Sequence, residues 1–174
     1  MLAAITLTAS TTVPAASAAA VSNSASPSSR VVREKIAHNR SLAVHRGIWL
    51  GILLRHGHAE RHTSSPAVLA ALLHKWKHRR IAYGRALMRR APVYRALLCI
   101  HRSEGSWTAY SPSGPYYGGL QMNRGFELAY GARFVRRFGD ALRWKPGLQI
   151  AVGYRAVRHV GYSPWPATRL ACGV

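Results

Sequence analysis

Apolar residues are spaced irregularly in the first half of the chain and regularly in the second half. In the first half, apolar residues such as Val44 and Leu69 alternate with arginine and histidine. This pattern predicts two basic helices, at residues 30 to 64 and 66 to 90, with little core of their own. We expect these helices to pack loosely in solvent or to lie against anionic surfaces.

A regular helical pattern starts at Pro92, a residue that suits the first turn of a helix. Four residues then share one helical face, at spacings of four, three and four: Val93, Leu97, Ile100 and Glu104. Glu104 therefore continues an apolar stripe, and Gly105 supplies a natural end to the helix. We expect the Glu104 carboxylate to lie at the edge of a core, partly desolvated.

The pattern after this helix changes to short elements. A loop rich in Ser, Pro and Gly leads to "YYGGLQM" at 116 to 122, which is typical of a short hairpin. Short helices broken at Gly131 and Gly139 follow, and Pro146 opens a last helix that ends at Gly161. The predicted fold class is mainly α: a small helical domain with a short β-hairpin.

The N-terminal residues are typical of an exported protein. Residues 1 to 20 are small, mildly apolar and uncharged, and "ASA" and "AAA", ending at Ala18 and Ala20, fit signal peptidase sites. A disordered leader is the alternative. Residues 21 to 29 are predicted to form a linker. The longest later apolar run, at 47 to 54, is far shorter than the roughly 20 residues of a membrane span.

Length and charge indicate how the rest of the chain is organised and which partners it prefers. The 174 residues allow one compact domain with extensions, which we place at 92 to 174, after a basic, histidine-rich helical extension at 30 to 91. Twenty-five Lys and Arg against five Asp and Glu give a net charge of +20, which favours polyanions as neighbours. "HGHAERH" at 56 to 62 has no carboxylate or cysteine cluster beside it, so we expect neither a metal site nor a cofactor.

The two cysteines, Cys99 and Cys172, agree with export. A bridge between them would close nearly the whole C-terminal segment into one loop. In the chain-entropy model, such a bridge stabilises the folded state by roughly 4 kcal/mol. A zinc site would need more ligands at short spacing. A disulfide is the favoured interpretation, and two free buried thiols are the alternative.

Glu104 has a setting that suits general acid catalysis, because a desolvated carboxyl can stay protonated and donate its proton to a leaving oxygen. Gln121 can hydrogen-bond to an amide-bearing sugar. Aromatic residues around Glu104 can lie against the apolar faces of sugar rings: Trp107, Tyr110, Tyr116, Tyr117 and Trp165. Each aromatic residue alone is better explained by core packing, but their crowding close to one glutamate favours a sugar-binding role.

These residues resemble a known family. "EGSW" at 104 to 107 followed by "YYGGLQM" is similar to the glutamate signature of soluble lytic transglycosylases and goose-type lysozymes. A larger set resembles the resuscitation-promoting factors and related transglycosylase-like proteins of actinobacteria: Cys99, Glu104, Trp107, "YYGGLQ" at 116 to 121, "AYG" at 129 to 131, Gln149, "PWP" at 164 to 166 and Cys172. The resemblance covers about residues 93 to 174.

The resemblance implies a lysozyme-like α+β fold with the hairpin beside an active-site cleft, export, action on peptidoglycan, and Glu104 as the catalytic acid. The resuscitation-promoting factors place the glutamate directly after the cysteine. Here Glu104 follows Cys99 by five residues and precedes Trp107 by three, which is the local spacing of the lytic transglycosylases.

A second carboxylate would distinguish an ordinary glycosidase from a single-acid enzyme. Glu127 follows Gln121 by six residues and could be directed toward the cleft, but an exposed glutamate at a helix start is the favoured interpretation. Asp140 in "FGDAL" is expected to be an N-cap. We therefore favour a mechanism in which Glu104 acts first as acid and then as base. It would cleave between N-acetylmuramic acid and N-acetylglucosamine and close a 1,6-anhydro ring.

Two other functions are compatible with the sequence. A non-catalytic wall-binding protein would use the cleft to recognise sugars and the basic extension to hold anionic wall polymers. A nucleic-acid-binding protein is suggested by the basic helices alone, but an exported chain rarely meets DNA. The favoured hypothesis is a secreted or wall-associated monomer that acts on peptidoglycan glycan strands.

Overall fold

A computed structural model describes residues 27 to 54, 63 and 65 to 174, which are mainly helical with one small antiparallel sheet. This confirms the predicted fold class, mainly α with a short β element. The helices are α1 (Pro27–Trp49), α2 (Pro66–Glu104), α3 (Arg124–Phe138), α4 (Pro146–Val160) and α5 (Thr168–Ala171), with a 3-10 helix (Ala141–Arg143) between α3 and α4. The strands are β1 (Tyr110–Ser111), β2 (Tyr116–Tyr117) and β3 (Met122–Asn123).

Several N-terminal predictions lie outside the described residues. These are the leader at 1 to 20, the linker up to residue 26, and the histidine-rich stretch at 56 to 62. The last three residues of the predicted linker, 27 to 29, form the first turn of α1. Across the described part of the chain, every helix is too short or too polar to cross a bilayer.

Helices α1 and α2 lie side by side and run in the same direction. Near the start of α1, Arg33 donates a hydrogen bond to the carbonyl of Thr63, just before α2, at 2.7 Å. Near the end of α1, Arg46 donates to the carbonyl of Arg80 at 2.7 Å. The two helices enclose a small core of their own: Ile36, Ala43, Leu69 and Trp76.

Trp76 explains why the sequence pattern understates this packing. Its side chain is fully buried, the Arg79 guanidinium lies 5.1 Å from its ring, and the Lys75 ammonium lies 5.4 Å away. The aliphatic stems of basic residues cover apolar surface while their charges reach water. The expectation of loosely packed basic helices is therefore wrong, since residues counted as a solvated face help to bury the core.

Helix α2 continues through Pro92, where the sequence predicts a helix start. Proline has no N–H, so the carbonyl of Met88 loses its usual partner four residues later. The helix persists because residues on both sides of the proline, such as Trp76 and Leu97, are held in cores. The predicted start is wrong, and the predicted domain border between residues 91 and 92 falls inside one helix.

The second half of α2 forms the main core together with α3, α4 and the sheet. The fully buried members of this core include Leu97, Ile100, Leu120, Met122, Phe134, Ile150 and Val152. Trp49, at the end of α1, packs against the same core, and the Tyr94 hydroxyl donates a hydrogen bond to its carbonyl. Helix α1 is thereby fixed to the half of the chain that carries Glu104.

Helix α3 passes through Gly131, where the sequence predicts a break. A Cβ at this position would lie 2.7 Å from the Trp144 ring, so the glycine permits close packing, and the prediction of a break is wrong. The predicted helix end at Gly139 is confirmed. The last long helix starts at Pro146 and ends before Gly161, as predicted.

The sheet is a meander of three two-residue strands in the order β1, β2, β3. Gly118 and Gly119 follow β2 and are buried. Gly118 has a positive φ of 74°, and a Cβ there would collide with the side chain of Gln149 in α4. A Cβ on Gly119 would collide with the Trp107 ring. The two glycines therefore allow the sheet to lie directly against α4 and the loop after α2.

Cys99 and Cys172 form the disulfide that the sequence predicts. Their Cα atoms are 5.9 Å apart and 73 residues separate them along the chain. The bridge ties the short helix α5 to the last turns of α2, and so brings the C-terminus beside Glu104.

We expect the double variant Cys99→Ser, Cys172→Ser to lose about 4 kcal/mol of unfolding free energy, because the bridge restricts a long loop in the unfolded chain. Urea unfolding of the oxidised parent and the variant checks this value. Adding a reductant to the parent should give the stability of the variant. A difference below about 1 kcal/mol would contradict the expected role of the bridge.

Candidate active site

Glu104 is the last residue of α2, and Gly105 ends the helix with a φ of 136°. Leu97 and Ile100, which share its helical face, are fully buried, so this face is apolar, as the spacing predicts. The Glu104 side chain is half-buried. Its Oε1 accepts a hydrogen bond from the Thr168 hydroxyl at 2.8 Å.

Thr168 reaches Glu104 because α5 is attached to α2. It is the first residue of α5, and Cys172, one turn later, is bonded to Cys99 in α2. The hydroxyl hydrogen bond and the disulfide therefore join the same two elements. Thr168 was not among the sequence-predicted site residues, because nothing in the local pattern reveals a contact 64 residues away.

The three tyrosines of the sheet divide between its two faces. Tyr110 pairs directly with Tyr117, and their rings stack with centroids 5.5 Å apart. Tyr116 points to the opposite face, because successive side chains of a strand alternate. The side chains of Tyr110 and Tyr116 are 55% and 42% exposed. The structure thus brings Tyr110 and Tyr117 together as one ring surface and separates Tyr116 from them.

Gln121 lies beside the end of α2. Its Nε2 is 4.0 Å from the position that a Cβ would take on Gly105, and it donates a hydrogen bond to the carbonyl of Gly118 at 2.9 Å. Gln121 has a φ of 46°, a left-handed conformation that is uncommon for a residue with a side chain. The turn before β3 therefore holds the amide near Gly105, the residue that follows Glu104.

Trp107 is half-buried and stacks on His101, with ring centroids 3.6 Å apart. The His101 Nδ1 is 3.1 Å from the carbonyl of Gly119. The tryptophan is thus clamped between α2 and the sheet. His101 was not among the sequence-predicted site residues, although its position three residues before Glu104 places it near the same helical face.

Trp165 belongs to the core. Its side chain is 3% exposed, its Nε1 donates to the carbonyl of Leu120 at 2.8 Å, and its ring meets Phe126 edge-on at 5.7 Å. A buried ring with a satisfied N–H fixes the C-terminal tail and offers no open face to a sugar.

Glu127 is not the exposed helix-start residue that the sequence predicts, because it is fully buried. Its Oε1 accepts from the backbone N–H of Ala141 at 2.6 Å, and its Oε2 accepts from Arg124 at 3.3 Å. Burial raises the pKa of this carboxyl, and the two hydrogen bonds only partly oppose that effect. Glu127 therefore anchors the 3-10 helix to α3.

Asp140 stands at the N-cap position of the 3-10 helix, as predicted, but its side chain makes no capping hydrogen bond. Its Oδ1 is buried, and no hydrogen-bond partner for it occurs among the described residues. Its negative charge also raises the pKa of Glu127. Among residues 65 to 174, the side-chain carboxylates besides Glu104 are thus the fully buried Glu127 and Asp140, one of whose oxygens is buried.

Gln149 is the residue that joins these parts. Its fully buried amide accepts from the Gly119 N–H at 2.8 Å and donates to the carbonyls of Trp107 and Ala141, each at 2.8 Å, with a longer contact to Trp144 at 3.2 Å. It holds the sheet, the loop after α2 and the 3-10 helix against α4.

No group of three or more His, Cys, Asp or Glu that could hold a metal ion occurs among residues 27 to 54 and 65 to 174. This region offers one half-buried carboxylate that accepts from a hydroxyl, an amide near the glycine that follows it, and a stacked tyrosine pair in the sheet that comes next along the chain. Such a set can transfer a proton to or from a substrate held against the rings.

Comparison of the chain with protein-family models, with curated proteins and with solved structures gives no match.

The buried Glu127 should make stability depend on pH. Because its folded pKa is raised above the ordinary 4.5, its contribution is complete below about pH 4.5 and is lost as the pH rises through the folded pKa. In Glu127→Gln, the glutamine carbonyl can still accept from the Ala141 N–H, but the pH-dependent part of the unfolding free energy that Glu127 contributes should be lost. Urea unfolding across a pH series measures it. Glu34→Gln changes a surface residue and should show the same dependence of unfolding free energy on pH as the parent. If Glu127→Gln also showed the parent's pH dependence, this assignment would be contradicted.

Proposed function

We propose that this protein cleaves the glycan strands of peptidoglycan, with Glu104 as its single catalytic acid and base. The observation that carries the proposal is the Glu104 carboxylate, held by the Thr168 hydroxyl at the edge of the core. Proton transfer needs an oriented group that substrate can reach, and Glu104 meets both conditions because it is only half-buried.

The surroundings of Glu104 support a sugar as the substrate. The chain after Gly105 leads directly into β1, and a Cβ on Gly105 would lie 3.3 Å from the Cβ of Ala109. Ala109, the residue before Tyr110, therefore lies close to the end of α2, and the stacked Tyr110 and Tyr117 rings follow from there. Aromatic rings bind the apolar faces of sugars, and the Gln121 amide can pair with an acetamido group.

The state of the other carboxylates supports a single-acid mechanism. Both oxygens of Glu127 are occupied by hydrogen bonds within the fold, and its side chain is fully buried. An ordinary retaining or inverting enzyme would need a second open carboxylate roughly 5 to 10 Å from the first. Because Glu127 is engaged in this way, an internal hydroxyl of the substrate is the nucleophile of the proposed mechanism.

Glu104 would then act twice. Protonated Glu104 gives its proton to the glycosidic oxygen as the bond to C1 of the muramyl residue breaks. The resulting carboxylate takes the proton of the muramyl 6-hydroxyl, whose oxygen bonds to C1 and closes a 1,6-anhydro ring. The Thr168 hydroxyl donates to Oε1, and Oε2 has no hydrogen-bond partner among the described residues, so we assign the proton transfers to Oε2.

A non-catalytic wall-binding protein is the second candidate. The exposed tyrosines of the sheet and the net charge of +20 would serve sugar and polymer binding without any proton transfer. This candidate gives no role to the hydrogen bond between Thr168 and Glu104. Binding and cleavage can be separated in one experiment.

We expect the oxidised protein to release 1,6-anhydro muropeptides from purified peptidoglycan, as read by mass spectrometry, and Glu104→Gln to reduce release at least 100-fold, since loss of a general acid typically costs 10²- to 10⁴-fold. Glu34→Gln is the matched control, because it makes the same chemical change at a surface residue of α1. Its release should equal that of the parent.

The products and the pellet distinguish the outcomes. Reducing muramic ends in place of anhydro ends would replace ring closure by hydrolysis and keep Glu104 as the acid. If neither parent nor Glu104→Gln released fragments while both sedimented with the wall, the enzyme proposal would fall and the binding protein would take its place.

A further inference from the structure

A second site lies where the end of α1 meets α2, α3 and α4. It is a cavity of about 350 Å³. The residues that line it are Leu50, Arg90, Arg133, Ala151, Tyr154 and Arg155. Three of these six side chains are guanidinium groups, and the lining contains no carboxylate. Arg90 precedes Glu104 by 14 residues in α2, or about 21 Å along the helix axis, so this cavity is separate from the candidate active site.

Each of the three arginines is held in place by the fold. The Arg90 guanidinium lies over the Tyr154 ring at 4.4 Å. Arg133 donates a hydrogen bond to the carbonyl of Gly51. Arg155 packs over Phe134 at 5.3 Å. The groups are therefore pre-organised around the cavity, which lowers the entropy cost of binding a ligand there.

Two of the three guanidinium groups, those of Arg133 and Arg155, converge on one point of the chain. A Cβ on Gly51 would lie 3.3 Å from Nη2 of Arg133 and 3.4 Å from Nη2 of Arg155. The Arg155 Nη2 is buried and has no hydrogen-bond partner among the residues that the structure describes. Burial, followed by the charges of Arg133 and Arg90, lowers the pKa of Arg155. Like charges held together beside an unsatisfied donor are unfavourable until an anion neutralises them.

We propose that this cavity binds a phosphate group through Arg90, Arg133 and Arg155. Guanidinium groups match the oxygens of phosphate with paired hydrogen bonds, and a doubly charged tetrahedral anion can meet three of them at once. The cavity also has room for the first atoms of a group esterified to the phosphate. The ligand is thus either inorganic phosphate or a phosphate monoester, and the proposal is independent of the cleavage of glycans.

Calorimetric titration at pH 7 and constant ionic strength tests the site with two probes, inorganic phosphate and glycerol 3-phosphate. We expect saturable one-to-one binding of at least one probe. Tighter binding of glycerol 3-phosphate would identify an ester as the ligand, and equal or tighter binding of inorganic phosphate would identify the free ion.

Variants locate the binding. Arg90→Gln should weaken it about tenfold or more, as expected for loss of a charge-assisted hydrogen bond. Arg89→Gln is the matched control, because it removes the same charge from the neighbouring exposed position of α2 and should bind as the parent does. Arg155→Lys keeps the charge but removes the paired donors, so it should also bind more weakly and serves if Arg90→Gln fails to fold.

Two results would overturn the proposal. One is no binding of either probe by the parent beyond that of chloride at the same ionic strength. The other is an equal loss in Arg89→Gln and Arg90→Gln, which would indicate attraction by the overall charge alone. Glu104→Gln should bind phosphate like the parent, so failure of the glycan experiment leaves this one intact.

Discussion

The buried amide of Gln149 is the interaction on which the site depends. One side chain in α4 accepts from the Gly119 N–H after β2 and donates to the carbonyls of Trp107 and Ala141, and the Trp144 carbonyl lies 3.2 Å from the same amide nitrogen. The Ala141 carbonyl also accepts from the backbone N–H of Trp144 at 3.1 Å, but no backbone partner for the Gly119 N–H or the Trp107 carbonyl occurs among the described residues. Unpaired, each would cost about 1 to 3 kcal/mol when buried. A single amide therefore supplies hydrogen bonds that backbone pairing does not supply in these segments.

The C-terminal part of the chain is held close to the end of α2. Three contacts hold the C-terminal tail. Cys172 is bonded to Cys99, the Trp165 N–H donates to the Leu120 carbonyl, and the Thr168 hydroxyl donates to Glu104. Helix α2 carries Glu104 at one end and packs against α1 at the other, so the basic half of the chain and the candidate site share one rigid element. The arginine cavity lies between these two regions.

The sequence predicts those features that depend on nearby residues. The helical spacing before Glu104 predicts its half-buried position, and Gly105 predicts the helix end, because both follow from local backbone geometry. The predicted helix break at Gly131 and the predicted exposure of Glu127 are wrong, because the surroundings of both residues come from distant segments. A glycine that packs on Trp144 has the same local pattern as a helix break, and a glutamate that bonds to a backbone N–H 14 residues away resembles a surface residue. Neither partner can be located before the chain is folded.

Amide hydrogen exchange of Gly119 in Gln149→Met tests the central claim most directly, because the substitution keeps the volume of the side chain and removes its donors and acceptor. If the amide organises the site, the Gly119 N–H should exchange at least 100-fold faster than in the parent, while amides in the middle of α4 change far less. The faster rate reflects a local loss of about 3 kcal/mol. Equal protection of Gly119 in both proteins would contradict the account and show that packing alone holds the sheet.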